Sequence, residues 1–290
     1  MTGSETAADS RAERRLVSIP EGSPVAYLEA GSGPDLVLIH GSLVNADDMR
    51  LGPMSALAER FRVVAFDRPG HGLSERARPT DGSVWRQAEL LRAAAVALGL
   101  RRPVLVGHSF GGAVALAWAM SFPEEVAGVA ALAPICFPEL RLEHLLFAPR
   151  AVPVAGQVLA QTLHLTADPL LLPTLWRAMF LPQSMPDAFA RGFSFDLAGR
   201  SVQTVREGEN AASLFADLSR SALGYPTCRV PVRFLCGSAD IVVNNHLHGR
   251  AAASLIPSAS FAWLPGIGHM LHHMRQAEVV AAAGHLAGDR

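Results

Sequence analysis

The sequence predicts an α/β protein: a mostly parallel, eight-stranded sheet with helices on both faces and an inserted block of helices. Three observations carry that reading. Up to about residue 134, short β-branched runs alternate with stretches of helical spacing, the pattern of parallel strands joined by crossover helices. From 137 to 225 the alternation stops, and apolar residues recur at helical spacing alone. Strand texture then returns at 231–236 and at 260–264, each time with a helical stretch behind it.

Candidate strands are 16–19, 25–29, 36–39, 62–66, 104–106 and 126–133, and the two late runs complete eight. Val37-Leu38-Ile39 and Pro103-Val104-Leu105-Val106 are apolar without a break, as strands covered on both faces must be. Helices are expected at about 47–60, 83–98, 110–120, 245–255 and 271–286. Inside the insert, Leu140, Leu145 and Leu146, then Leu171, Leu175 and Met179, keep helical spacing. Prolines punctuate it at 149, 153, 169, 173, 182 and 186. Asp168-Pro169 and Ser184-Met185-Pro186 read as helix starts, each a capping side chain near a first-turn proline. Several short helices and no strand are expected there. The chain divides accordingly into a tail (1–14), a core in two pieces (15–136 and 226–290) and the helical block 137–225. The polar tail lacks the apolar run of a signal peptide and is expected to be disordered.

Composition excludes several chemistries. The formal net charge is −1, which leaves no electrostatic footprint for nucleic acid. All 25 basic residues are arginine, so Schiff-base lysines, a PLP lysine and a Walker A lysine are absent. Cys136, Cys228 and Cys236 are far apart and odd in number, against a disulfide framework, zinc finger or thioredoxin motif. No run of about 18 apolar residues occurs, so no membrane span is expected. These features fit a cytoplasmic protein, either monomer or homodimer.

The informative motif is Gly107-His108-Ser109-Phe110-Gly111-Gly112. G-x-S-x-G alone is weak, but this one follows the strand 104–106 and opens the helix 110–120. A nucleophile on so sharp a strand-to-helix turn needs a strained backbone and flanking residues without Cβ atoms. The helix N-terminus places partial positive charge beneath Ser109, and the Phe110 N–H can donate to a developing oxyanion. A serine hydroxyl needs a base, and the base needs an orienting carboxylate. Both are expected beyond the carboxyl ends of later strands. Asp240 follows the strand 231–236, in Gly237-Ser238-Ala239-Asp240, and His269 follows 260–264, in Gly268-His269. Their 29-residue separation accommodates one helix and one strand.

With His40-Gly41-Ser42 and Asp67-Arg68-Pro69-Gly70-His71-Gly72-Leu73-Ser74, these motifs make the chain resemble the Ser-nucleophile α/β-hydrolases with a helical cap, over about residues 16–286. The resemblance implies that 137–225 is the cap. It implies that the backbone N–H of Ser42 joins that of Phe110 in an oxyanion hole, that His40 is scaffold, and that no cofactor is needed. The expected activity is hydrolysis of a carboxylic ester through an acyl-enzyme, by Ser109, His269 and Asp240. C–C bond, thioester and lactone hydrolysis use the same triad and stay open, as does a slow-turnover receptor of this fold. Relatives that cleave C–C bonds usually read G-N-S at the elbow, where this chain has His108. Epoxide and haloalkane hydrolases carry an aspartate where Ser109 stands.

Among the 11 histidines, His71 is expected to order its turn and His108 to pack beneath the elbow. His269 and His273, with His272, His246 and His248, suggest metal ligands, but no H-E-x-x-H pattern is completed and no metal is expected. Glu139 is the alternative acid, in the loop after the sixth strand. The insert's Leu145, Leu146, Phe147, Leu170, Leu171, Leu172, Trp176, Met179, Phe180 and Leu181 suggest an apolar pocket wall, hence a small apolar ester-like substrate.

Overall fold

A computed structural model describes residues 14–288. Of the expected tail, only Arg14 falls within them, and it is tied down. Its guanidinium lies 2.9 Å from Asp67 and 3.1 Å from Asp47; the rest of the tail, 1–13, lies outside the described residues.

The sheet has eight strands: β1 (Arg15–Val17), β2 (Val25–Ala30), β3 (Asp35–Ile39), β4 (Arg62–Phe66), β5 (Val104–His108), β6 (Gly128–Leu132), β7 (Val232–Gly237) and β8 (Ala259–Leu264). Their order is β1-β2-β4-β3-β5-β6-β7-β8. The first two pairings are antiparallel and the remaining five parallel. This is the expected fold class, and each expected strand has its counterpart. The two-residue period of the pleat explains the continuous apolar runs. Val37 and Ile39 face one buried layer, with Val64, Phe66 and Leu105. Leu36 and Leu38 face the other, with Val63, Ala65 and Val106.

Helices Val84–Ala97 and Phe110–Ser121 cover the first layer. Gln276–Ala287 and the segment after β3 cover the second. Two expected helices are interrupted. The stretch 47–60 is Ala46–Met49, a wide turn at Arg50–Met54 and Ser55–Ala58. Gly52 leaves helical dihedrals there (φ −96, ψ −115) just before Pro53, which has no N–H to donate and constrains the residue before it. The stretch 271–286 breaks at Arg275 (φ −134, ψ 53) into Leu271–Met274 and Gln276–Ala287.

Between β6 and β7 the described residues form helices only. Helices begin at Asp168 and Asp187, close to the two proline-marked starts. The expectation of uniformly short helices fails, because Ser201–Gly224 runs for 24 residues. Prolines stop at 186 and resume only at 226, so nothing interrupts it. A third apolar cluster, with Phe147, Leu172, Trp176, Phe180, Phe189 and Phe193, packs this segment onto Val44 and Met270 of the sheet-bearing part. No helix among the described residues is long and apolar enough to cross a membrane.

Candidate active site

Parallel strands present their carboxyl ends at one rim, and loops from that rim converge. β5 delivers Ser109, whose backbone sits at φ 52, ψ −117, in the left-handed region that costs a residue with a Cβ energy. The turn is possible because Gly107 and Gly111 lie back to back: a Cβ on Gly107 would strike the Gly111 carbonyl, and one on Gly111 the carbonyls of Ile39 and His40. Ser109 is held by its own N–H, donated to Leu132 O at 2.9 Å. The helix Phe110–Ser121 starts at the next residue.

β7 and β8 deliver Asp240 and His269. Their loops approach closely at Gly237, where a Cβ would meet the Ile267 carbonyl. Asp240 Oδ2 lies 2.9 Å from His269 Nδ1 and accepts from Asn245 Nδ2 at 2.9 Å. Its Oδ1 accepts the N–H groups of Val242 and Val243 at 2.8 and 2.9 Å. Burial opposes the carboxylate, but the His269 imidazole and those N–H donors more than offset it, leaving the Asp240 pKa below its ordinary value. An anion at Oδ2 favours the Nδ1–H tautomer of His269, which leaves Nε2 without a proton. His108 Nε2 donates to the His269 carbonyl at 3.0 Å. Burial, with His272 and His269 nearby, holds the His108 pKa far below the usual range, so its ring stays neutral.

Ser42, Ser109 and His269 line one cavity of about 410 Å³, within the size range of small-molecule sites. Among the described residues no hydrogen bond joins the Ser109 hydroxyl to His269. The backbone N–H groups of Ser42 and Phe110 likewise have no acceptor. Leu146, Phe147, Leu175 and Met179 supply apolar wall. Others of the expected wall do not: Leu145 and Leu170 are exposed, while Leu172, Trp176 and Phe180 are buried in the third cluster. The charged side of the cavity is Glu139, which the sequence offered as the alternative acid, with Arg141 and Glu143, which sequence reading missed. Arg141 pairs with both glutamates, at 2.6 and 3.2 Å, and Glu139 Oε1 lies 2.8 Å from His248. Glu139 is thus engaged away from His269.

His40 is buried and neutral, its pKa driven far down by burial and then by Arg68. It donates from Nδ1 to Gly41 O at 2.8 Å and accepts the Arg68 N–H at Nε2, at 3.0 Å. His71 does more than order its turn, reaching Glu207 of the long helix at 3.0 Å. Arg68 and Glu207 carried no signal in the sequence beyond their membership of Asp67-Arg68-Pro69 and of a helical run. Arg68 donates to the carbonyls of His40 and Gly41, at 3.0 and 2.9 Å, and its guanidinium lies 4.4 Å from the Phe110 ring centre.

Of the residues that suggested metal ligands, His272 and His273 both contact Asp48 Oδ1, at 3.0 and 2.8 Å. Asp48, His108 and His272 bring donor atoms within 4.8 Å of one another, but the carboxylate is already engaged by the two imidazoles.

The chain belongs to the alpha/beta hydrolase fold family, whose model matches residues 34–275. An uncharacterized protein of Mycobacterium tuberculosis is 29% identical over 265 residues, 86% of this chain and 73% of its own. The magnesium-chelatase 30 kDa subunit of Rhodobacter capsulatus is 28% identical over 252 residues, 83% of this chain and 82% of its own. Among solved structures, a thermophilic esterase from Thermogutta terrifontis superposes with a TM-score of 0.69 at 20% identity, covering 95% of this chain and 98% of that one. An epoxide hydrolase and a haloalkane dehalogenase share the fold too, so the reaction has to be argued from the site.

Proposed function

We propose that the protein is a serine hydrolase that cleaves a carboxylic ester with an apolar acyl or alcohol part. One observation carries the reading: the Asp240–His269 hydrogen bond of 2.9 Å stands at the same cavity as Ser109 on its strained turn. Ser109 attacks the ester carbonyl while His269 Nε2 takes its proton and passes it to the leaving alkoxide. Asp240 stabilises the imidazolium formed. The Ser42 and Phe110 N–H groups, free of acceptors, bind the tetrahedral oxyanion. Water activated by His269 then releases the acid. Substrate binding brings the hydroxyl and imidazole into hydrogen-bond contact, since such contacts often tighten only in the complex. The helical block 137–225 acts as the cap. Its Leu146, Phe147 and Met179 favour an apolar group, and Arg141 is neutralised by its glutamates.

The test is a p-nitrophenyl ester series from acetate to octanoate, with thioesters, lactones and dienone acids beside it. Wild type should favour the longer acyl chains, and a fluorophosphonate should label Ser109. Ser109→Ala should lower turnover by at least about a thousandfold while melting like wild type. Undiminished turnover in Ser109→Ala overturns the assignment, and steady decline from acetate to octanoate overturns the apolar pocket.

A further inference from the structure

We infer that Glu207 and Trp176, both in the helical insert, are positioning residues that set the oxyanion-binding N–H of Ser42 through its neighbour Leu43. The inference rests on the hydrolase reading above and assigns the insert a part in the chemistry beyond covering the cavity.

Leu43 has φ 61, a left-handed conformation unfavourable for a leucine side chain. Nothing in its own residue type holds it there. Two side chains from another part of the chain do. Glu207 Oε1 accepts the Leu43 N–H at 2.6 Å, and Trp176 Nε1 donates to the Leu43 carbonyl at 2.8 Å. Both polar groups of Leu43's backbone are therefore taken by the insert. The Leu43 N–H belongs to the peptide plane that follows the Ser42 Cα and the Ser42 N–H to the plane before it, so holding Leu43 fixes the rotation between those two planes. On the other side Arg68 grips the carbonyls of His40 and Gly41. Residues 40–43 are clamped from the core by a cation and from the insert by an anion and an indole.

Glu207 is built for this task. It is 4% exposed, it lies 3.0 Å from His71 and 4.0 Å from Arg68, and its Oε2 accepts from Asn210 at 3.3 Å. Those partners keep it ionised, and a charged acceptor makes the stronger hydrogen bond to Leu43. With the clamp gone, Leu43 can relax to ordinary dihedrals and swing the Ser42 N–H away from the oxyanion. A donor displaced by about 1 Å costs up to a hundredfold in rate, approaching the loss of the donor itself.

The experiment compares wild type, Glu207→Ala, Glu207→Gln and Trp176→Phe. Two rates are read: fluorophosphonate labelling of Ser109, which needs the oxyanion hole but no particular substrate, and kcat and KM on the best p-nitrophenyl ester. Thermal melts identify variants that are folded at the assay temperature. Glu207→Ala should label about ten- to a hundredfold more slowly, with the loss in kcat and KM within about twofold. Glu207→Gln retains an amide oxygen for the Leu43 N–H and should recover most of that loss. Trp176→Phe keeps an aromatic side chain but has no Nε1 donor for the Leu43 carbonyl, so it should slow labelling even if Glu207→Ala does not fold. Wild-type labelling rates in folded Glu207→Ala or Trp176→Phe overturn the inference. So does Glu207→Gln as slow as Glu207→Ala, or a loss confined to KM. A wild type that a fluorophosphonate cannot label overturns the hydrolase reading itself, and this inference with it.

Discussion

The burial of His71 beside Arg68 makes the protein acid-labile in a defined window. His71 is buried and sits beside Arg68, and these two effects outweigh the attraction of Glu207. Together they lower its pKa from 6.5 to about 4. In the unfolded chain the same imidazole takes a proton near its ordinary value. Between pH 6.5 and 4 the unfolded state therefore binds the proton and the native state does not, and stability falls as pH falls. The gap between 6.5 and about 4 corresponds to about 3 kcal/mol, fully present above pH 6.5 and lost by about pH 4. Glu207 continues the trend. Burial opposes its charge, but His71, Arg68 and the Leu43 N–H lower its pKa from 4.5 to about 2, so its contribution is lost as pH falls from 4.5. The assay is urea unfolding at pH 7.5, 6, 5 and 4.5 for wild type and His71→Gln. The variant lacks the titrating group, so its stability should fall less steeply, by up to about 1.4 kcal/mol per pH unit below 6.5. Curves that stay parallel over this range refute the reasoning.

Two further outcomes are expected. Asp240→Asn keeps the shape of the loop but removes the charge that selects the His269 tautomer, so kcat should drop by about a thousand- to ten-thousandfold with little change in melting temperature; a loss under tenfold speaks against Asp240 as the orienting acid. Asp168 and Arg150 form a two-pronged ion pair at 2.6 and 2.8 Å, both almost wholly buried, so Asp168→Ala strands a buried guanidinium and should cost roughly 3–5 kcal/mol in urea unfolding, while Arg150→Met combined with Asp168→Leu should recover much of it.

The sheet was readable because its central strands are buried on both faces. That burial writes an uninterrupted apolar run into the chain, as at Val104-Leu105-Val106. Helix interruptions were less readable: Gly52-Pro53 was visible, but proline within a helix is tolerated elsewhere, as Pro173 is in Asp168–Met179. The loop motifs named Asp240 and His269 by position alone, and in the structure the two are hydrogen-bonded. The clamp on residues 40–43 was invisible. Glu207 stands 164 positions from Leu43, and a lone glutamate in a helix ordinarily faces water. A signal existed in the periodicity. Gln203, Glu207, Asn210, Leu214, Leu218 and Ser221 recur every three or four residues along the long helix, and all are buried. Leu214 and Leu218 are the apolar members of that stripe. A polar stripe in register with an apolar one marks a helix whose buried face passes from greasy core to a hydrogen-bonded seam.

The segment Gly268-His269-Met270-Leu271-His272-His273 also shows why residue type does not settle chemistry. It carries two imidazole–carboxylate pairings within five residues: His269 with Asp240, and His272 and His273 with Asp48. Burial opposes the Asp48 charge, but the two histidines more than compensate and hold its carboxyl far below the ordinary range. As a source of charge, Asp48 equals Asp240. The difference is access. His269 lines the cavity with Ser109, within reach of a bound molecule, and under the proposed function its proton passes to the leaving group. His272 is fully buried, its ring 4.3 Å from that of His108. A proton on it has no substrate to go to. The second pairing supports the first through structure, with the ring of His272 against that of His108, which donates to the His269 carbonyl.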